Sequence, residues 1–107
     1  MVENKVVFIT GAASGIGYEI GKEFAKNGAK VALSDINAEK VQEVSENLRK
    51  DGYDCIGLKC DVTNEKELQQ ALDETVEKYG RLDVLINNAG LQHVASIEDF
   101  PTEKFEF

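Results

Sequence analysis

No run of apolar side chains in these 107 residues is long enough to span a bilayer. No cluster of lysine or arginine interrupts the formal net charge of −8. A membrane span is therefore not expected, and neither a nucleic-acid backbone nor an anionic membrane surface is an expected partner. The apolar stretch that follows Met1-Val2-Glu3-Asn4-Lys5 is too short for a secretory leader. Cysteine and histidine are scarce: only Cys55, Cys60 and His93 occur, and no spacing among them makes a metal-ligand set. The two cysteines share one strand-like run, where their odd separation points them to opposite faces about 16 Å apart, too far to bridge. Two buried, reduced thiols and a cytoplasmic location are the expectation. Linkers, internal repeats and low-complexity segments are also missing, so residues 1–107 are read as part of a single domain.

What the chain does have is strand, glycine turn and helix in direct succession. Lys5-Val6-Val7-Phe8-Ile9 runs into Thr10-Gly11-Ala12-Ala13-Ser14-Gly15-Ile16-Gly17, and Ile20, Phe24 and Ala25 follow at helical spacing. A glycine-rich turn that opens a helix aims backbone N–H groups outward with no side chain in the way, as a pyrophosphate requires. No Gly-Lys-Ser/Thr follows, which excludes the phosphate loop of nucleotide-hydrolysing proteins.

Strand and helix signals then alternate. Strands are expected at Val6–Thr10, Lys30–Ser34, Tyr53–Cys60 and Val84–Ile86. Helices lie between them, with Val41, Val44 and Leu48 on the inner face of the second and Leu68, Leu72, Val76 and Tyr79 on that of the third. Asn27-Gly28, Asp51-Gly52 and Gly80 close the helices, and Asn64 with Glu67 resembles a capping arrangement. This is the pattern of right-handed βαβ units in an α/β, Rossmann-type, doubly wound parallel sheet, here truncated after about four strands. Asp35 ends the second strand roughly 20 residues beyond the glycine cluster, where a carboxylate can accept hydrogen bonds from both adenosine-ribose hydroxyls and repel a 2′-phosphate. Its sequence neighbours, Ser34, Ile36 and Asn37, include no cation. NAD is the cofactor this pattern favours.

Thr10-Gly11-x-x-x-Gly15-x-Gly17, Asp35, Asp61-Val62 and Asn87-Asn88-Ala89-Gly90 together resemble the N-terminal part of a short-chain dehydrogenase/reductase. The resemblance implies that Gly11, Ser14, Gly15, Ile16 and Gly17 surround the pyrophosphate and adjoining ribose. It implies that Asp35 holds the adenosine ribose and that Asp61 and Val62 meet the adenine. Asn88, Ala89 and Gly90 would line the floor beside the nicotinamide ribose, with Asn87 bracing the strands. Gln92-His93 and the segment Ile97–Phe105 are similar to bacterial D-3-hydroxybutyrate dehydrogenases, in which the Gln helps hold the substrate carboxylate. That likeness implies NAD-dependent oxidation of 3-hydroxybutyrate to acetoacetate, with Gln92 binding the 3-hydroxy acid and a homotetramer as the full-length assembly. His93 reads as a surface or packing residue. The alternatives are a 3-oxoacyl-carrier-protein reductase, a sugar dehydrogenase, or a non-catalytic NAD-binding module.

The family's Ser, its Tyr-x-x-x-Lys pair and its further Asn would all fall beyond Phe107. No catalytic residue is therefore assigned, and the chain alone is expected to be inactive. Tyr18-x-x-x-Lys22 has the right spacing but follows the phosphate turn on the first helix, where it reads as part of an amphipathic surface.

Overall fold

The computed structural model describes residues 2–88. The elements run β1 (Val6–Ile9), α1 (Gly15–Lys26), β2 (Lys30–Asp35), α2 (Ala38–Lys50), β3 (Cys55–Lys59), α3 (Glu65–Tyr79) and β4 (Val84–Ile86). All strand pairs are parallel, in the order β3-β2-β1-β4. The register sets Phe8 between Ala32 on one side and Leu85 on the other.

Alternate strand residues face opposite layers. Val7, Ile9, Val31, Leu33 and Cys55 pack with Ala25, Val41 and Leu48, so α1 and α2 cover one face. Phe8, Ala32, Leu85 and Cys60 pack with Leu68, Ala71 and Leu72, which puts α3 on the other. The cysteines therefore do sit on opposite sides of the sheet, and both are free and buried. Burial pushes the Cys55 thiol up to about 12 and the Cys60 thiol up to about 11.

The helix faces differ from the sequence expectation on all three helices, since on α2 Ser45 is buried with Val41 and Leu48 while Val44 is only part-buried. On α1 the buried stripe is Gly17, Gly21 and Ala25, with Ile20 and Phe24 only part-buried beside it. A side chain on Gly21 would meet Leu33 Cδ2 at 2.5 Å, so the glycine allows α1 to lie close against β2. On α3 the inner positions are Leu68, Ala71, Leu72 and Thr75, while Val76 is 40% exposed. The helical period carries the inward face from Leu72 to Thr75 rather than Val76, and the Thr75 hydroxyl is satisfied by donating to the Ala71 carbonyl at 2.9 Å.

Helix ends follow the sequence signals. Asn37 Oδ1 accepts from Lys40 N at 3.0 Å, and Asn64 Oδ1 accepts from Lys66 N and Glu67 N at 3.0 and 3.1 Å. Gly28, Gly52 and Gly80 all take positive φ at or just past the helix ends.

Candidate dinucleotide site

The chain leaves β1 on one side of the sheet for β2 and β3, and reaches β4 only on the other side. The carboxyl ends of β1 and β4 therefore flank the point where strand order reverses, and open α/β sheets bind ligands in that crevice. Thr10 and Gly11 leave β1 there, and Asn87 and Asn88 leave β4.

A buried polar knot ties the two strand ends together. Thr10 Oγ1 donates to Asn87 Oδ1 at 2.9 Å and accepts from Asn88 N at 2.9 Å. Asn88 Nδ2 donates to the Gly11 carbonyl at 3.2 Å. Thr10 and Asn87 are 1% and 5% exposed, so these bonds form away from water, where an unmade one is costly. Asn87 braces the strands as expected. Asn88, read in the sequence as cofactor floor, also spends its amide holding the glycine turn.

Gly11 and Gly15 adopt φ of 62° and 60°, the left-handed region that glycine occupies without strain. Gly17 serves a different need: a Cβ there would collide with the Gly11 carbonyl oxygen and lie 2.7 Å from Asn88 Nδ2. Ser14 is the N-cap of α1, yet its side chain makes no capping bond, and no acid lies in the first turn. Gly15 has open space where a side chain would stand, and Ile16 is 72% exposed. Among the described residues the first turn of α1 thus presents backbone donors and positive dipole with neither a side-chain cap nor an acid of its own, an arrangement suited to a pyrophosphate.

Asp35 projects from the end of β2 toward the same turn. Its Oδ2 accepts from Ala13 N at 3.0 Å and its Oδ1 from Asn37 N at 2.9 Å. The carboxylate therefore fixes the glycine turn and the entry to α2, and each oxygen keeps a further lone pair for a ribose hydroxyl. Ala13, which the sequence did not single out, is the turn residue that orients it.

Asp61 and Val62 follow β3. Asp61 Oδ1 accepts from Thr63 N and Thr63 Oγ1 at 3.0 and 2.7 Å, and these bonds hold the carboxyl below its ordinary range. Val62 packs on the α3 side of the sheet. Glu67, in the first turn of α3, fixes this loop from the other side. Its Oε1 accepts from Asp61 N at 3.1 Å and from Lys59 Nζ at 2.8 Å, and the Lys59 bond lowers the Glu67 carboxyl while raising the Lys59 ammonium. The capping box read from Asn64 and Glu67 is therefore stretched, since the N3 acid reaches past the cap to Asp61.

Asp83 is a further brace that the sequence did not reveal. Its Oδ2 accepts from Val6 N at 2.8 Å and its Oδ1 from Arg81 at 2.7 Å, locking the start of β4 to the start of β1. Desolvation would raise this carboxyl, but the bonds from Arg81 and Val6 outweigh it and hold the group low.

Tyr18 and Lys22 lie along α1, and Tyr18, read in the sequence as part of a surface, is part-buried against the core. Ala89, Gly90, Gln92 and His93 lie outside the described residues. Among the described residues, no group of three His, Cys, Asp or Glu side chains could hold a metal ion, and no helix is long and apolar enough to cross a membrane.

Residues 5–107 match the family model for short chain dehydrogenase. An uncharacterised oxidoreductase of Bacillus subtilis, YxjF, is 45% identical over 105 residues, covering 98% of this chain and 41% of that protein. Zerumbone synthase of Zingiber zerumbet is 41% identical over 98% of this chain and 40% of its own length. Among solved structures, hydroxysteroid dehydrogenase from Escherichia coli superposes with a TM-score of 0.80 at 42% identity, covering 83% of this chain and 38% of that one. A short-chain dehydrogenase/reductase from Burkholderia phymatum, solved in complex with NAD, superposes with a TM-score of 0.76 at 32% identity, covering 78% of this chain and 30% of that one. The chain spans about two-fifths of the length of the curated relatives it matches, 41% and 40% for the two above.

Proposed function

Because the chain belongs to the short-chain dehydrogenase family, we propose that it is the cofactor-binding portion of an NAD-dependent oxidoreductase. The observation that carries this reading is the uncapped N-terminus of α1, set behind Gly11, Gly15 and Gly17 and facing Asp35. In this reading Ser14, Gly15, Ile16 and Gly17 bind the pyrophosphate and adjoining ribose through backbone donors. Asp35 accepts the ribose hydroxyls and disfavours a 2′-phosphate. Asp61 and Val62 border the adenine, and Asp61 Oδ1 is already taken by Thr63, which leaves Oδ2 to accept from the adenine amino group. Asn88, Ala89 and Gly90 form the floor under the nicotinamide ribose. Bound NAD supplies the hydride acceptor, and this chain's residues bind and orient it.

For the substrate we propose a 3-hydroxy acid, specifically 3-hydroxybutyrate oxidised to acetoacetate. Support for this finer assignment is the Gln92-His93 sequence directly after the Asn-Asn-Ala-Gly block. A neutral amide donor after the fourth strand suits a substrate carboxylate at that end of the sheet. The full-length enzyme is proposed to be a cytoplasmic homotetramer. In the full-length enzyme, Gln92→Ala should raise the KM for 3-hydroxybutyrate by about tenfold and leave the KM for NAD unchanged, as expected when one buried donor to the substrate is lost. An unchanged KM for 3-hydroxybutyrate would remove Gln92 from the site and the hydroxybutyrate assignment with it.

A further inference from the structure

Asp35 has no cation beside it in sequence, but the sheet gives it one. Asp35 of β2 is in register with Lys59 of β3. Paired residues of parallel strands project from the same face, with backbones about 4.8 Å apart. That face is the one covered by α1 and α2, since Val31 and Cys55, paired further down the same two strands, both pack in that layer. Lys59 thus emerges beside the carboxylate read above as the ribose ligand. Its flexible stem would let the ammonium stand at the ribose 2′ corner.

The ammonium is not there. It bonds Glu67 Oε1 at 2.8 Å, and Glu67 belongs to α3, which packs on the opposite face. The side chain thus leaves from one layer and bonds a residue of the other. Glu67 itself is anchored, because the same oxygen accepts from Asp61 N and because it sits in the capped first turn of α3. One acid on the far layer therefore draws away the cation that strand register sets beside Asp35.

We propose that Glu67 is a specificity-determining residue of the dinucleotide site: by holding Lys59 away from the ribose corner, it leaves Asp35 uncompensated and so preserves discrimination against a 2′-phosphate. This rests on the reading of Asp35 as the ribose ligand. A released Lys59 would offset the Asp35 charge and give a 2′-phosphate a partner, admitting NADP.

The test is calorimetric titration of the full-length protein with NAD and with NADP, in the unmutated form, Glu67→Gln, Lys59→Ala and the double variant. Glutamine keeps an oxygen for the Asp61 N–H and removes only the charge, so the loop stays in place; circular dichroism checks the fold of each variant. Glu67→Gln should narrow the NAD-over-NADP preference by about three- to fivefold, the scale of an exposed ion pair, mainly by tightening NADP. The narrowing should shrink at high salt. Lys59→Ala added to Glu67→Gln should restore the original ratio, and Lys59→Ala alone should leave it unchanged. An unchanged ratio in Glu67→Gln, with NAD still bound, would overturn the role of Glu67 and leave the NAD reading standing. A narrowing that survives Lys59→Ala would overturn the role of Lys59. Failure of the unmutated protein to bind NAD would instead overturn the reading of the site itself.

Discussion

Thr10 shows how much of the site depends on one hydroxyl. It donates to Asn87 and accepts from Asn88, joining the ends of β1 and β4 where the strand order reverses. Thr10→Val keeps the shape and removes both bonds, leaving Asn87 Oδ1 without the Thr10 donor in a buried place. The expected cost is about 1–3 kcal/mol, read as a lower urea midpoint at unchanged slope. A midpoint within error of the unmutated protein would show that the knot contributes nothing to stability. At this scale the sequence was informative where a residue's job is local. Gly11 and Gly15 could be read because a turn needs positive φ, and Asp35 because its distance from the turn is fixed by one helix and one strand. Ala13, Lys59 and Asp83 could not. Ala13 acts through a backbone N–H that its side chain does not advertise. Lys59 meets Asp35 only through strand register, and Asp83 meets Val6 across 77 positions of sequence.

Among the elements, the strands were the easiest to foresee, because a strand covered on both faces is apolar throughout and β1 is fully buried at all four positions. Helix faces were harder. Gly17 and Gly21 carry no hydrophobic signal, yet they form the close-packed stripe of α1, and the inward turn of α3 passes to Thr75 because its hydroxyl can bond back to Ala71. The edge strand β3 carries a device visible only in the structure. Gln42 Nε2 donates to the Gly57 carbonyl at 2.7 Å and Arg49 Nη1 to the Cys55 carbonyl at 3.0 Å, both from α2. These alternate carbonyls belong to the strand at the end of the sheet order, and a second chain could otherwise pair with them. Removing both donors, Gln42→Ala with Arg49→Ala, should promote self-association, measured as a concentration-dependent rise in sedimentation coefficient. A double variant with the unmutated sedimentation behaviour at all concentrations would show that the edge is protected by something else.

For the whole molecule, the family and the order of its elements were legible before any coordinates, because four motif blocks at fixed spacing constrain the chain from Thr10 to Gly90. The stacking of α1 and α2 on one face and α3 on the other places every described block of the site at the carboxyl ends of the strands. The central claim is that this end of the sheet, and no other surface, receives NAD. An alternative apolar groove of about 320 Å³ lies elsewhere on α1, lined by Val2, Ile20 and Phe24, and serves as an internal control. The most direct measurement is a titration of the isotopically labelled full-length protein with NAD, followed through its backbone amide resonances. The largest shifts should fall on Gly15, Ile16, Gly17, Asp35 and Ile36, with Ile20 and Phe24 moving least, and Gly17→Ala should abolish the shifts while the remaining spectrum stays dispersed. Shifts centred on Val2, Ile20 and Phe24, or an unaltered response in Gly17→Ala, would contradict the assignment.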